Sequence, residues 1–409
     1  MKLHMPPALR HRRFRLLWIG LLISVAGSRM QFVALLWHIK QLSDLPIYLG
    51  LVGLARIVPI VAFSLLGGAI ADTLDRRKIL YVTQSVQIGV ALILSILTYT
   101  DQILMWHLYA LTAVQAAALS FDLPARQSLT PNLVPSADLP NAFSMQSIAF
   151  TTGSIIGPAL TGFILATPSL GQPFTYFFNA ISYLAIIAAV ILMGPVAQDR
   201  DISTGSGNRL EAIKEGITFI VNQPIILSSM LLDFVATFFS SANALMPIFA
   251  QDILHVGEIG FGWLSAAQAM GAATMAAILS QLREIRTQGK LILISVVIYG
   301  AATIMFGFST NFWIAMLALV IVGSADALST IIRNTIRQMQ TPDRLRGRMT
   351  SVNQIFFMGG PQLGEIEAGT VATLFGTPFA VVSGGFLCIV GVGWISKRWP
   401  QLRNYDGAI

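Results

Sequence analysis

Charge and cysteine are both scarce in this chain of 409 residues. Lys, Arg, Asp and Glu make up 11% of it, against about 25% in a soluble globular protein. Length alone would fit two or three soluble domains, but there is too little charge to cover their surfaces. The lone cysteine, Cys388, sits in an apolar run and can form no internal disulfide, so nothing suggests the disulfide framework of a secreted domain. Missing too are GxxxxGK[ST], HExxH and GxSxG, the marks of phosphate-cradling loops, zinc proteases and serine hydrolases. No enzyme activity, cofactor or metal is therefore expected.

What the chain has in quantity is apolar sequence, 55% of its residues. Many runs exceed the roughly 18 residues that cross a bilayer. They place twelve spans at 14–40, 47–71, 79–100, 104–123, 141–166, 173–195, 224–250, 260–282, 290–309, 312–334, 348–374 and 377–396. Helix is the only admissible form, because backbone groups in lipid must be satisfied within the segment and the runs lack the alternation of a barrel strand. Arg10, Arg12, Arg13 and Arg15 precede the first run in the manner of a signal peptide. The run is too long for one and is followed by many more, so it reads as a retained first helix.

The net charge is +7 and the basic residues lie between spans. Alternate loops carry Arg76, Arg77 and Lys78; Arg126; Arg200, Arg209 and Lys214; Arg283, Arg286 and Lys290; and Arg337, Arg344, Arg346 and Arg348. The opposite loops hold Lys40 and the acids Asp44, Asp101, Asp252 and Glu258. This asymmetry puts both termini in the cytoplasm and describes orientation in a lipid bilayer, with no call for a nucleic acid.

Residues 198–212 form the one clearly polar connector, and Leu210, Ile213, Ile217 and Ile220 then recur at the spacing of a short interfacial helix. The expected organisation is a six-helix bundle over 1–197, a cytoplasmic linker with that helix over 198–223, and a second six-helix bundle over 224–409. The fold class is an all-α membrane protein of twelve transmembrane helices in two pseudo-symmetric bundles. An internal repeat supports the division. Arg126-Gln-Ser-Leu, Pro135 and Leu139 align, with one gap, to Arg333-Asn-Thr-Ile, Pro342 and Leu345, and Gly157-Pro158 aligns to Gly360-Pro361. Parallel six-helix repeats of this kind occur in transporters.

Two motifs carry more specific information. The loop after span two reads Gly67-Gly68-Ala-Ile-Ala-Asp72-Thr-Leu-Asp75-Arg76-Arg77-Lys78. Span five reads Gly153-Ser-Ile-Ile-Gly157-Pro158-Ala-Leu-Thr-Gly162, a smooth face with a proline that removes one backbone hydrogen bond. The first resembles the loop signature of the major facilitator superfamily, with Asp75 where a glycine is usual. The second resembles the antiporter motif of its drug:proton exporters. With Gly323-Ser-Ala-Asp326 and the loop Thr341 to Arg348, the whole chain is similar to the branch that contains the enterobactin exporter and macrolide exporters.

The resemblance implies a multi-pass protein of a plasma membrane of the bacterial inner-membrane type. It implies a conformational latch from Gly68, Asp72, Arg76 and Arg77, joined by Asp122 and Arg126 at the end of span four, where Pro124 weakens a simple helical pairing. Gly153, Gly157, Pro158 and Gly162 are expected at the seam between the halves. One departure is Thr112, which stands where many proton antiporters carry an arginine three residues before a glutamine, here Gln115.

Charges inside spans are costly, roughly 2.5–3.5 kcal/mol each on insertion scales, so each needs a partner or a wet cavity. The candidates for substrate or proton coupling are Arg29, Gln115, Asp233, Asp326, Glu365 and Glu367. Arg56 is expected to form a buried ion pair with Glu365 or Glu367, which lie two residues apart and cannot point the same way. A static salt bridge fixing helix register competes with the coupling reading for all of these acids. Arg333 and Arg337 are expected to pair with Asp343 or a helix end, and His38 to sit at the outer interface. The expected function is a proton-coupled exporter of a hydrophobic or amphiphilic small molecule, acting as a monomer. Proton-linked nutrient uptake and a non-transporting membrane sensor are the alternatives.

Overall fold

The computed structural model describes residues 5–196, 209–241, 243–281 and 286–407, without the side chains of 64–73, 209–214, 343, 344, 346–348, 351 and 355. Among the described residues there is no strand. Six long helices come first: α1 Arg12–Leu42, α2 Pro46–Thr73, α3 Arg76–Tyr99, α4 Met105–Leu129, α5 Leu139–Leu165 and α6 Gly171–Leu192. After the linker come α7 Arg209–Val221, α8 Pro224–Phe239, α9 Gly257–Leu279, α10 Gln288–Phe308, α11 Phe312–Gln340, α12 Asp343–Phe375 and α13 Thr377–Arg398.

Among the described residues, eleven stretches are long and apolar enough to cross a membrane. The remaining long helix, α12, covers the expected span 348–374, but Gln362, Glu365 and Glu367 make its middle less apolar than the others. The expected interfacial helix corresponds to α7, whose Ile220 packs with Ile226, Met230, Met349 and Val352. The polar part of the linker, 197–208, lies outside the described residues.

Helix ends follow local chemistry. Asn311 caps α11 by accepting from the backbone N–H groups of Trp313 and Ile314. Asp75, which replaces the glycine usual in the loop signature, caps α3 by accepting from the Arg77 N–H at 2.9 Å. Span seven departs from a continuous helix. α8 stops at Phe239, and a 3-10 turn (Asn243–Leu245), a short helix (Met246–Ile248) and a π turn (Phe249–Ile253) follow. Pro247 cannot donate to the preceding turn. A Cβ on Gly384 of α13 would lie 1.9 Å from the Phe239 carbonyl oxygen, so α13 presses directly on the end of α8.

Two compact units emerge. The first comprises Met1–Leu42, Ala55–Gly205 and Gly257–Ala266; the second comprises Ser43–Leu54, Ser206–Val256 and Ala267–Ile409. The first unit's core joins Phe14, Leu17 and Leu21 of α1 to Leu80 of α3, Leu129 of α4, Ala149 of α5 and Ile186 of α6. The second joins Leu232 of α8 to Ile292, Val296, Ile332, Ile336, Cys388 and Ile395. Lipid tails are as apolar as leucine, so such helices associate through close packing, not through escape from water. Glycine supplies the closeness: in the second unit a Cβ on Gly271 would lie 1.9 Å from the Val320 oxygen, and one on Gly323 would lie 1.9 Å from the Gln268 oxygen.

α2 and α9 are each divided between units. In the second unit, the first turns of α2 lie on α12: a Cβ on Gly50 would meet the Glu365 oxygen at 2.6 Å, and one on Gly53 the Gln362 oxygen at 2.2 Å. In the first unit, the first turns of α9 lie on α5: a Cβ on Gly262 would meet the Pro158 oxygen at 2.7 Å and Gly162 Cα at 2.8 Å.

Candidate functional site

In the second unit, α8 and α11 bring three charges into one buried cluster. Asp233 Oδ1 accepts from Arg333 Nη2 at 2.7 Å, and its other oxygen lies 3.8 Å from Arg337 Nη2. All three residues are at least 97% buried, so each charge has lost water and depends on the others. Arg333 also donates to Thr330 Oγ1 at 2.8 Å, and Arg337 to Ser229 Oγ at 3.3 Å. Asp326 lies two turns before Arg333 on the same face of α11, with its carboxylate 4.0 Å from the guanidinium. Its side chain is 50% exposed. Arg333 thus stands between a buried aspartate and an open one. Arg333 and Arg337 were expected to meet Asp343 or a helix end; both meet Asp233 of α8, and the side chain of Asp343 lies outside the described residues.

The corresponding helices of the first unit hold a neutral network. Gln31 donates to Gln115 Oε1 at 3.0 Å, Gln115 donates to the Tyr183 hydroxyl at 3.0 Å, and Asn179 donates to Gln31 Oε1 at 2.6 Å. Ser28 adds a bond to the Tyr183 hydroxyl at 3.0 Å. Gln115 is therefore tied to α1 and α6. A network whose members satisfy one another fixes helix register. Asn179 and Tyr183 were not singled out from sequence, although an asparagine inside an apolar run is a readable signal.

The next face of α1 carries Arg29, whose guanidinium sits 5.0 Å from the centroid of Phe150 on α5. Gly153 and Gly157 of α5 make this approach possible. A Cβ on Gly153 would lie 2.9 Å from Ala26 N, and one on Gly157 would lie 2.4 Å from the Ala26 oxygen and 2.9 Å from Arg29 Cβ. These two glycines, expected at a seam between halves, thus pack on α1 of their own unit. Gly162, one turn past Pro158, is the member of the motif that meets α9, 2.8 Å from the Glu258 oxygen by the same measure. Arg56 lies over Phe32 of α1 at 4.8 Å. Its expected pairing with Glu365 or Glu367 would join residues of different units. In the second unit Glu365 is buried and Glu367 partly exposed.

At the other end of the first unit, Asp122 is wholly buried and paired with Arg126 despite Pro124, because α4 continues through the proline. Thr83 and Gln84 of α3 donate to Asp122 Oδ1 at 3.1 and 2.7 Å; neither was foreseen, since no motif surrounds them. Arg76 donates to the Ser128 oxygen at 3.0 Å and to Asn132 Oδ1 at 2.7 Å, and Arg77 to the Val190 oxygen at 3.0 Å. Both arginines therefore cap the negative ends of α4 and α6. The surroundings of Gly68 and the side chain of Asp72 lie outside the described residues. His38, expected at the interface, is 95% buried, with Nδ1 3.2 Å from the Tyr176 hydroxyl.

Long apolar helices that bury polar and charged clusters define an integral membrane protein. The chain belongs to the transmembrane secretion effector family of the major facilitator superfamily, whose model matches residues 5–407. It is 25% identical over 404 residues to the multidrug efflux pump Tap of Mycolicibacterium fortuitum, covering 96% of each chain. It is 27% identical over 393 residues to the enterobactin exporter EntS of Citrobacter koseri, covering 93% of this chain and 91% of that one. The staphyloferrin A transporter of Staphylococcus aureus is 25% identical over 384 residues, at 92% and 94% coverage. Among solved structures, the fold is similar to a bacterial homologue of the human lysosomal transporter Spinster in its inward-facing, occupied form. There the TM-score is 0.76 at 12% identity, over 99% of this chain and 100% of that one. The chain is accordingly a multi-pass transporter of small molecules in the cell membrane.

Proposed function

We propose that this transporter is a secondary active exporter of a hydrophobic or amphiphilic small molecule, coupled to protons and working by alternating access. The carrying observation is the sharing of Arg333 between buried Asp233 and exposed Asp326. In this reading Asp233 is the fixed partner and Asp326 the group that exchanges a proton. Protonating Asp326 removes one of the two charges acting on Arg333 and changes how α11 is held against α8. Export is supported by the printed roles of the relatives, a multidrug efflux pump and an enterobactin exporter.

The same proposal has twelve spans in two six-helix halves, 1–197 and 224–409, joined by 198–223, with α12 as the eleventh span and both termini in the cytoplasm. It treats the chain as a monomer. Gly68, Asp72, Arg76 and Arg77 are its latch, with Asp122 and Arg126 anchoring the end of α4. Arg56 with Glu365 or Glu367 is kept as an ion pair formed in one stage of the cycle. The glycine contacts of α2 on α12 and of α9 on α5 are contacts that open and close.

Energised inverted vesicles test this. Uptake of a fluorescent amphiphile into the vesicles should depend on the pH gradient, and Asp326→Asn should remove that dependence at least tenfold, as expected for loss of a titrating group. Gradient dependence retained in Asp233→Asn, Asp326→Asn and Glu367→Gln alike would sink the coupling scheme.

A further inference from the structure

We propose that Arg29 and Arg56 form a two-arginine site for an anionic group, a carboxylate carried on an aromatic body. The proposal rests on the carrier reading and names the class of substrate that the first unit recognises.

Both arginines lie within spanning helices, where an unbalanced charge is expensive. Among the described residues of the first unit, every carboxylate is engaged or placed elsewhere. Asp122 pairs with Arg126, Asp138 with His11, and Asp75 caps α3. Asp101 lies in the turn after α3 and Glu258 in the first turn of α9. What Arg29 and Arg56 have is an aromatic ring each, at 5.0 and 4.8 Å. A ring face attracts a cation, but it offers no acceptor to the guanidinium's N–H donors, five in each group. The second unit makes the contrast: there Arg333 and Arg337 both meet Asp233.

The two guanidiniums are placed to act together. Phe32, which carries Arg56, follows Arg29 by three residues and so shares its face of α1. Arg29 is directed by the close fit of Ala26 and its own Cβ on Gly157, which turns its stem along α5 towards Phe150. Phe150 is 50% exposed, so its ring is open to a visitor. Planar guanidiniums match a carboxylate through paired N–H···O bonds, and an exposed phenylalanine offers the body of the ligand a stacking surface. A cationic amphiphile would meet two like charges and be excluded.

Binding of a matched probe set to the full-length protein in neutral detergent tests this by calorimetry: naphthoate, naphthamide and naphthylmethylammonium. Naphthoate should bind at least about tenfold more tightly than naphthamide, the value of a charge-assisted hydrogen bond, and the ammonium most weakly. Arg29→Gln and Arg56→Gln should each erase the preference while changing naphthamide affinity less than about twofold. Arg29→Lys and Arg56→Lys, which keep the charge without the fork, should retain part of it and serve if a glutamine variant fails to fold. Equal affinity for naphthoate and naphthamide, no naphthoate binding, or a preference surviving both glutamine substitutions overturns the proposal. Competition by phosphatidylglycerol that removes the preference would assign the pair to a lipid headgroup and overturn it too. The measurement needs no gradient, so a failure of proton coupling leaves its outcome intact.

Discussion

At the scale of the residue, the two units handle buried charge in different ways. Asp233 is the buried carboxylate that two buried guanidiniums share. Removing one partner of a buried pair costs about 3–5 kcal/mol, because the other charge stays buried. Asp233→Asn should therefore lower the thermal unfolding midpoint in detergent substantially, and Asp233→Asn with Arg337→Met should recover part of the loss. No recovery in the double variant would show that Arg337 does not depend on Asp233. Asp326, half exposed, should be replaceable by Asn with little change in that midpoint. The acids themselves were legible in the sequence as charges inside apolar runs. Their partners were not, because which helix an arginine reaches depends on tertiary packing that spacing along one helix does not encode.

At the scale of the element, glycines set how near two helices come. Gly157 and Gly89 make a matched pair of tests, since a Cβ on Gly157 would lie 2.4 Å from the Ala26 oxygen while one on Gly89 would meet nothing within 4 Å. Gly157→Val should destabilise the first unit by about 1–3 kcal/mol through overpacking, and Gly89→Ala should be neutral or stabilising by about 0.5–1 kcal/mol through helix propensity. Equal unfolding midpoints for the two variants would contradict the close packing of α1 on α5. The motif on α5 was readable as a smooth face; that its first two glycines serve α1 and its last serves α9 was not. The break after Phe239 was likewise hidden, because the apolar run continues through it and Pro247 alone suggests a kink rather than a stop.

At the scale of the whole molecule, helical class and eleven of the expected spanning runs were readable from the sequence, because lipid restricts the backbone to few solutions; the superfamily was readable from its motifs. The exchange of the first turns of α2 and α9 between units was not, since nothing in the apolar pattern distinguishes one end of a span from the other. If the contact of α2 on α12 opens during transport, joining it should stop the cycle. Ile47 N–H donates to Thr373 Oγ1 at 2.9 Å, so Ile47→Cys with Thr373→Cys in a Cys388→Ser background puts one thiol on each side of this contact. Oxidation should arrest uptake into vesicles and a reducing agent should restore it. Uptake that continues in the oxidised protein would mean that this end of α2 never leaves α12.

The shared ownership of α2 and α9 also bears on how the chain matures. A fragment ending in the linker would keep the opening turns of α2 but lack the α12 groove of Gln362, Glu365 and Gly369 that receives them, and would lack the α9 segment that shields Pro158 and Gly162. Such a fragment should therefore leave the backbone at Gly50, Gly53, Pro158 and Gly162 without these close neighbours.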